Sequence, residues 1–333
     1  MNKLIQNNIR FCCLILFSVL TFSCSGNKTP NADDSAFKII RFDNELYRYL
    51  NDKKNNSFLS EHFLFLNEYG EKIIHTGRPD SLGFETRLNN FFSEPTLMSL
   101  YKDEQEKFAD ITEINIELSQ SLALFFDHFP EIKKPQVYMH VSGLQQNVIV
   151  TDDILSLSVD KYMGMDYPLY QKFFYDYQRR LMTPERIVPD YLLGFMMANF
   201  PFQGNNDILL DRMIYEGKLR YILSRLLSKR NYWEYVGYNP EQYEWCRENG
   251  SRIWKYILEN QHLFTPDYKT TIQYLREAPY TSLLPSESPG QVGVWMGFQI
   301  VASYMKHFPD TSLNHLMTLT DYQDFLKKSK YKP

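Results

Sequence analysis

Residues 187–227 constrain the fold more than any other stretch of this chain. They read IVPDYLLGFMMANF, break at 201–206, and resume as DILLDRMIYEGKLRYILSRLL. Two helices satisfy this pattern. Pro189 suits the first turn of one, where its missing N–H costs nothing. The second carries an apolar face at Ile208, Leu209, Met213, Leu219, Ile222, Leu223 and Leu226, mostly three or four residues apart. Glu216-Gly217 falls in the middle of that second helix. A glycine there costs about 1 kcal/mol against alanine, so it needs a reason in packing or in function.

The rest of the chain supports a mostly helical α+β fold with a small antiparallel or mixed sheet. Amphipathic helices are expected at 37–50, 62–74 and 82–92, and a Pro95-started helix runs to about Lys107. Asp110 and Glu113 make a capping-box-like start. Behind it Ile111, Ile114, Leu118, Leu122, Phe125 and Phe129 recur at helical spacing until Pro130. The register then changes. Short β-branched runs at 135–141, 146–150 and 154–159, separated by Ser142-Gly143 and Asp152-Asp153, predict a small sheet with hairpin connections. Helices resume at 167–180. Asn239-Pro240-Glu241 and Thr265-Pro266-Asp267 are start signals, with a further helix expected at 251–260. In PGQVGVWMGFQIV, Gly293 and Gly297 stand four apart on one helix face, where they let another backbone approach. We expect that partner to be the Glu216 helix, with Gly217 offering the matching gap. This segment is too short and too polar at Gln299 to cross a membrane.

The N-terminus points to a compartment. Lys3 and Arg10 precede an apolar core at 11–22, too short for a permanent span, which ends at Ser23-Cys24. A small residue followed by Cys resembles a bacterial lipobox, and makes Cys24 the lipidated first residue of the mature chain. An ordinary cleavable signal or a signal anchor is the other reading. Residues 25–35, SGNKTPNADDS, form a polar tether. After lipidation only Cys246 of the four cysteines keeps a thiol, so no intrachain disulfide is available. Cys246 has no His near it in sequence, which favours packing over nucleophilic chemistry. The net charge of −4, with dispersed basic residues, argues against a nucleic-acid partner.

Six segments in order resemble the gliding-motility lipoprotein B (GldB) family: HFPEIKKPQVYMHVSG, LSVDKYMGMDYPLY, TPERIVPDYLL, LLDRMIYEGKLRYIL, YEWCRENGSRIWKYI and PGQVGVWMGFQIVASYM. Gly250 departs from the acidic residue expected in the Trp-rich segment. The resemblance runs from about residue 37 to 325; the leader and the polar stretch after it give a signal peptide at 1–23 and a tether at 24–36, and the lack of repeats or a linker beyond residue 37 favours one domain at 37–333. The resemblance implies a lipid-anchored envelope protein with protein partners in a gliding or secretion machine, and the late position of Asp33 and Asp34 in the tether favours one that faces the periplasm.

Residues 137–305 more distantly resemble thermolysin-like zinc peptidases, which implies a degenerate zincin-like core. In those enzymes H-E-x-x-H on one helix and a Glu on the next hold the metal. Glu216 occupies the place of that third ligand, but Pro189-Asp190-Tyr191-Leu192-Leu193 stands where H-E-x-x-H belongs. Asp190, Glu216 and His140 on the neighbouring strand would then line a vestigial cleft with no metal, no cofactor and no catalysis. Plainer readings stand beside this one. Glu216 fits a helix glutamate paired with Arg212 or Lys218, Asp190 a first-turn aspartate favoured by the helix dipole, and His140 an ordinary sheet residue. No G-x-S-x-G elbow and no phosphate-binding glycine loop occurs. A peptidase with an unrecognised site and a peptide- or glycan-binding lipoprotein are the other functions considered.

Overall fold

The computed structural model describes residues 37–52, 57–145 and 147–333. The expected signal peptide, Cys24 and the tether lie outside the described residues. Strand β1 (Ile39–Arg41) runs straight into α1 (Phe42–Asn51). Helices α2 (Phe58–Glu61), α3 (Phe63–Lys72), α4 (Phe84–Phe91), α5 (Pro95–Lys107) and α6 (Thr112–His128) follow, then strands β2 (Gln136–His140), β3 (Val148–Val150) and β4 (Ile154–Ser158). Two short helices, α7 (Tyr170–Phe173) and α8 (Asp176–Arg179), lead to the central pair α9 (Ile187–Asn199) and α10 (Leu209–Leu226). The chain ends with α11 (Tyr232–Tyr235), α12 (Pro240–Glu259), α13 (Tyr268–Leu275), α14 (Val292–His307), α15 (Leu313–Thr318) and α16 (Tyr322–Ser329).

Among the described residues the sheet is mixed, in the order β1-β2-β4-β3. β1 and β4 both lie parallel to β2, with Ile39 opposite Val137 and His140 opposite Ser158. Only β3–β4 is a hairpin. The expected hairpin between the first two runs is therefore corrected: β4 takes the place beside β2, and β3 becomes the outer strand. The expected helix at 37–50 also begins later, at Phe42. Ile39 and Ile40 are β-branched and sit opposite an otherwise open edge of β2, whose backbone groups need partners.

Two more boundaries differ. The helix expected at 167–180 is split, because Phe174 and Tyr175 adopt extended backbone, and the Phe174 ring packs edge-on against Tyr170. The helix expected at 251–260 is instead the second half of α12, which continues through Gly250. A Cβ there would meet the Trp295 ring at 3.2 Å, so Gly250 lets the indole lie close against the helix.

The abundance of aromatic residues largely supplies a core of buried tyrosine and phenylalanine. Tyr69, Tyr101, Tyr191 and Tyr238 are buried, and each hydroxyl donates to a backbone carbonyl: Val141, Asp43, Tyr138 and Gly290 respectively. The rings supply apolar burial, about 1.5–3 kcal/mol for a large side chain. The hydroxyls satisfy carbonyls that would otherwise be stranded. α10 lies at the centre of this core. It packs against α14 most extensively, and against α6, α9, α11, α13, α15 and α16, which explains why apolar residues occur on every side of it.

Candidate functional site

Arg212, Glu216 and Arg220 are the polar stripe of α10, each four residues from the next and so stacked on one side of the helix. Arg212 Nη2 lies 3.3 Å from Glu216 Oε1, and Arg220 Nη1 lies 3.5 Å from Oε2. The glutamate is 8% exposed and has a guanidinium on either side. Lys218, two residues on, points elsewhere because residues two apart do not share a helix face. On α9, Asp190 accepts from Arg186 Nη2 at 2.6 Å and from the Tyr162 hydroxyl at 2.8 Å. Pro189 and the aspartate occupy the first turn as expected, but the partner four residues back, rather than the helix dipole alone, holds the carboxylate.

The two pairs lie within each other's field. Burial pushes the Arg220 guanidinium below its ordinary value and Arg186 adds to that, while Glu216, Asp190 and Glu277 oppose it. The Glu277 carboxyl is raised, first by loss of solvent and then by the Asp190 charge, with Arg186, Arg220 and Lys161 pulling it back. Two donors here have no hydrogen-bond partner among the described residues, Arg220 Nη1 and Arg186 Nε. Arg186 also lines an adjoining cleft of about 380 Å³ with Arg180, Trp233 and Tyr238. A smaller recess shares Arg180 and Tyr238 with this cleft and is also lined by Tyr177, Glu277 and Gln291.

His140 is not part of this arrangement, which corrects its expected place in the cleft. Side chains alternate along β2, so His140 shares a face with Tyr138 and meets the rings of Phe65 and Tyr69 on α3. It is fully buried, hydrogen-bonds Ser156 Oγ through Nδ1 at 2.6 Å, and is driven by burial to about 3. Among the described residues no group of three or more His, Cys, Asp or Glu stands together in a way that could hold a metal ion.

The glycines divide between two contacts. A Cβ on Gly217 would lie 2.2 Å from the Gly297 carbonyl oxygen, and one on Gly297 would lie 1.8 Å from the Met213 carbonyl oxygen. α10 and α14 therefore touch backbone to backbone beside Glu216. Gly293 meets Tyr274 and Leu275 of α13 instead, which corrects its expected position against α10. Crossing helices stay at closest approach for about one turn, and one turn back along α14 the neighbour has changed. Cys246 is fully buried, and burial pushes its thiol up to about 12, so it packs rather than reacts.

Arg212 is the expected partner of Glu216, whereas Arg186 and Arg220 are partners not named from the sequence. Their spacing of four from Asp190 and Glu216 was the available signal. Arg180, Trp233 and Tyr238 carried no such signal, since the cleft they line joins segments about fifty residues apart.

Fold and site together define a mostly helical α+β protein built around a charged helix pair, in which each frame carboxylate is engaged by arginine. A family model described as gliding motility protein GldB matches residues 25–333. The chain belongs to that family, whose members are gliding-motility-related lipoproteins of the cell envelope. No curated protein and no solved structure matches it. Among the described residues no helix is long and apolar enough to cross a membrane.

Proposed function

We propose that the protein is a non-catalytic lipoprotein, anchored through lipid on Cys24 and facing the periplasm, that supports gliding or its associated secretion machinery through protein contacts. The peptidase-like frame serves as a scaffold. The observation that carries this reading is the engagement of Glu216 by Arg212 and Arg220. A carboxylate that ligates zinc or acts as a general base must present its lone pairs to a metal or a water, and here guanidinium groups take that place. Asp190 is engaged in the same way by Arg186 and Tyr162.

A second reading, a peptide-binding lipoprotein, draws on the adjoining cleft. Trp233 and Tyr238 supply apolar contact there, and Arg180 and Arg186 supply donors. The two readings are compatible if the bound peptide is a segment of a partner. Elemental analysis and peptidase assay of the purified protein test the scaffold reading. We expect sub-stoichiometric zinc and no hydrolysis, and a Glu216→Gln variant that keeps its fold. Near one zinc per chain, lost together with peptidase activity in that variant, would overturn the reading. Cross-linking from a photoreactive residue placed at Arg180, in intact envelopes, tests the cleft. A cross-linked partner supports it, and labelling no greater than from a residue on the exposed side of α12 counts against it.

A further inference from the structure

Lys218 is the one lysine of α10 and is 1% exposed. Its Nζ donates to the Leu319 carbonyl, just past α15, and lies 5.3 Å from the ring centroids of both Tyr322 and Phe325 on α16. No carboxylate among the described residues pairs with it. Glu216 is two positions away on another side of the helix, and Glu131 hydrogen-bonds the Asn314 amide. The lysine forms part of the wall of a cavity of about 210 Å³ between the α9–α10 connection and the α15–α16 corner. The other polar groups of that wall are neutral amides and hydroxyls, including Gln203, Asn314, Thr318 and Thr320. Phe200 and Met317 provide apolar surface.

A buried ammonium with no counter-charge is costly, because neither ring faces nor one carbonyl replaces the solvation of a full charge. Burial alone drives this amine down to about 7. The cavity is smaller than the roughly 300–1,000 Å³ of sites for drug-sized ligands, so its ligand is small. One ammonium balances one negative charge. A phosphate dianion would leave a second charge uncompensated, whereas a carboxylate would not. Gln203, Thr320 and the second N–H of the Asn314 amide can donate to carboxylate oxygens, whereas the Thr318 hydroxyl already donates to the His315 carbonyl, and the apolar wall suits a short hydrocarbon body. We propose that this cavity is a binding site for a small organic monocarboxylate, with the Lys218 ammonium as its counter-ion. The site lies apart from the Asp190–Glu216 frame and does not depend on the function proposed for it.

Of the neighbouring titratable groups, Asp211 on α10 lies in the field of Tyr322 and the exposed His315 on α15 hydrogen-bonds Thr318, but neither lines the cavity, which leaves Lys218 as the proton acceptor. Burial pushes the phenols of Tyr215 on α10 and Tyr322 on α16 up to about 12, so both stay neutral at physiological pH. Arg212 and Glu216 are paired with each other. Binding an ionised carboxylate at a pH of about 8, above the Lys218 value, must then draw a proton onto the amine.

Isothermal titration of the full-length protein in detergent, with acetate, propionate and inorganic phosphate as probes, tests this in buffers of different ionisation enthalpy. We expect saturable binding of acetate or propionate with uptake of close to one proton, and binding weakened at least about tenfold in Lys218→Met. Failure of both carboxylates to bind, binding without proton uptake, or undiminished binding in the variant overturns the proposal. Tighter binding of phosphate overturns the carboxylate assignment. If Lys218→Met does not fold, proton uptake by the wild-type protein decides.

Discussion

At the scale of single residues, the position of a group in its element decided its chemistry. Glu216 and Asp190, the two carboxylates of the α9–α10 frame, are each held by arginine four residues away. His140 is the counter-example, because strand alternation turns it toward α3 and away from both. Its burial makes a pH prediction. The unfolded histidine titrates near 6.5 and the folded one at about 3. Between these values the unfolded chain binds a proton that the folded chain does not, so stability falls as pH drops below 6.5. The loss is on the order of 3 kcal/mol between pH 7 and about 4. A His140→Gln variant should lack this component. Urea midpoints of wild type and variant that decline in parallel over that range would contradict it.

At the scale of elements, the α10–α14 contact carries most of the design. Gly217 and Gly297 remove the side chains that would hold the two backbones apart. A Gly297→Leu substitution should overpack the contact and cost about 1–3 kcal/mol, read as a lowered denaturation midpoint. Even an alanine there would meet a rigid carbonyl at 1.8 Å. The gain of about 1 kcal/mol in helix propensity does not offset that displacement. Gly293→Ala is the comparison: its Cβ would meet Leu275 Cδ2 at 3.0 Å and the Tyr274 Cβ and carbonyl oxygen at 3.1 Å, contacts that need only small shifts, so it should cost less than Gly297→Ala. Equal losses in Gly297→Ala and Gly293→Ala would remove the special role assigned to the crossing. The same close packing accounts for α12, whose Gly250 admits the Trp295 ring without ending the helix.

At the scale of the whole molecule, the family assignment makes the address of the protein its first functional property. A single lipidated cysteine with two or three acyl chains anchors stably, at about 0.8 kcal/mol per buried CH₂. We expect Cys24→Ala to move from the membrane to the soluble fraction and to take up no labelled fatty acid. A variant that still sediments with membranes would show that something other than the lipid holds the chain there.

Helices α5, α6, α9, α10 and α14 were legible in the chain because their signals are local: a capping residue, a proline in the first turn, apolar residues at a spacing near 3.6. Family membership was legible too, from segments kept in order along the chain. Strand order was not. β-Branched runs mark strands, but whether β2 pairs with β3 or β4 depends on which alignment buries its two faces and covers its edges. Likewise the partner of Gly293, the face taken by His140, the cleft around Arg180 and the burial of Lys218 depend on segments distant in sequence. Local sequence determines periodicity and capping, which act over about four residues. Tertiary packing determines which charges lose their water, and here that decided which polar groups were paired, neutralised or left facing a cavity.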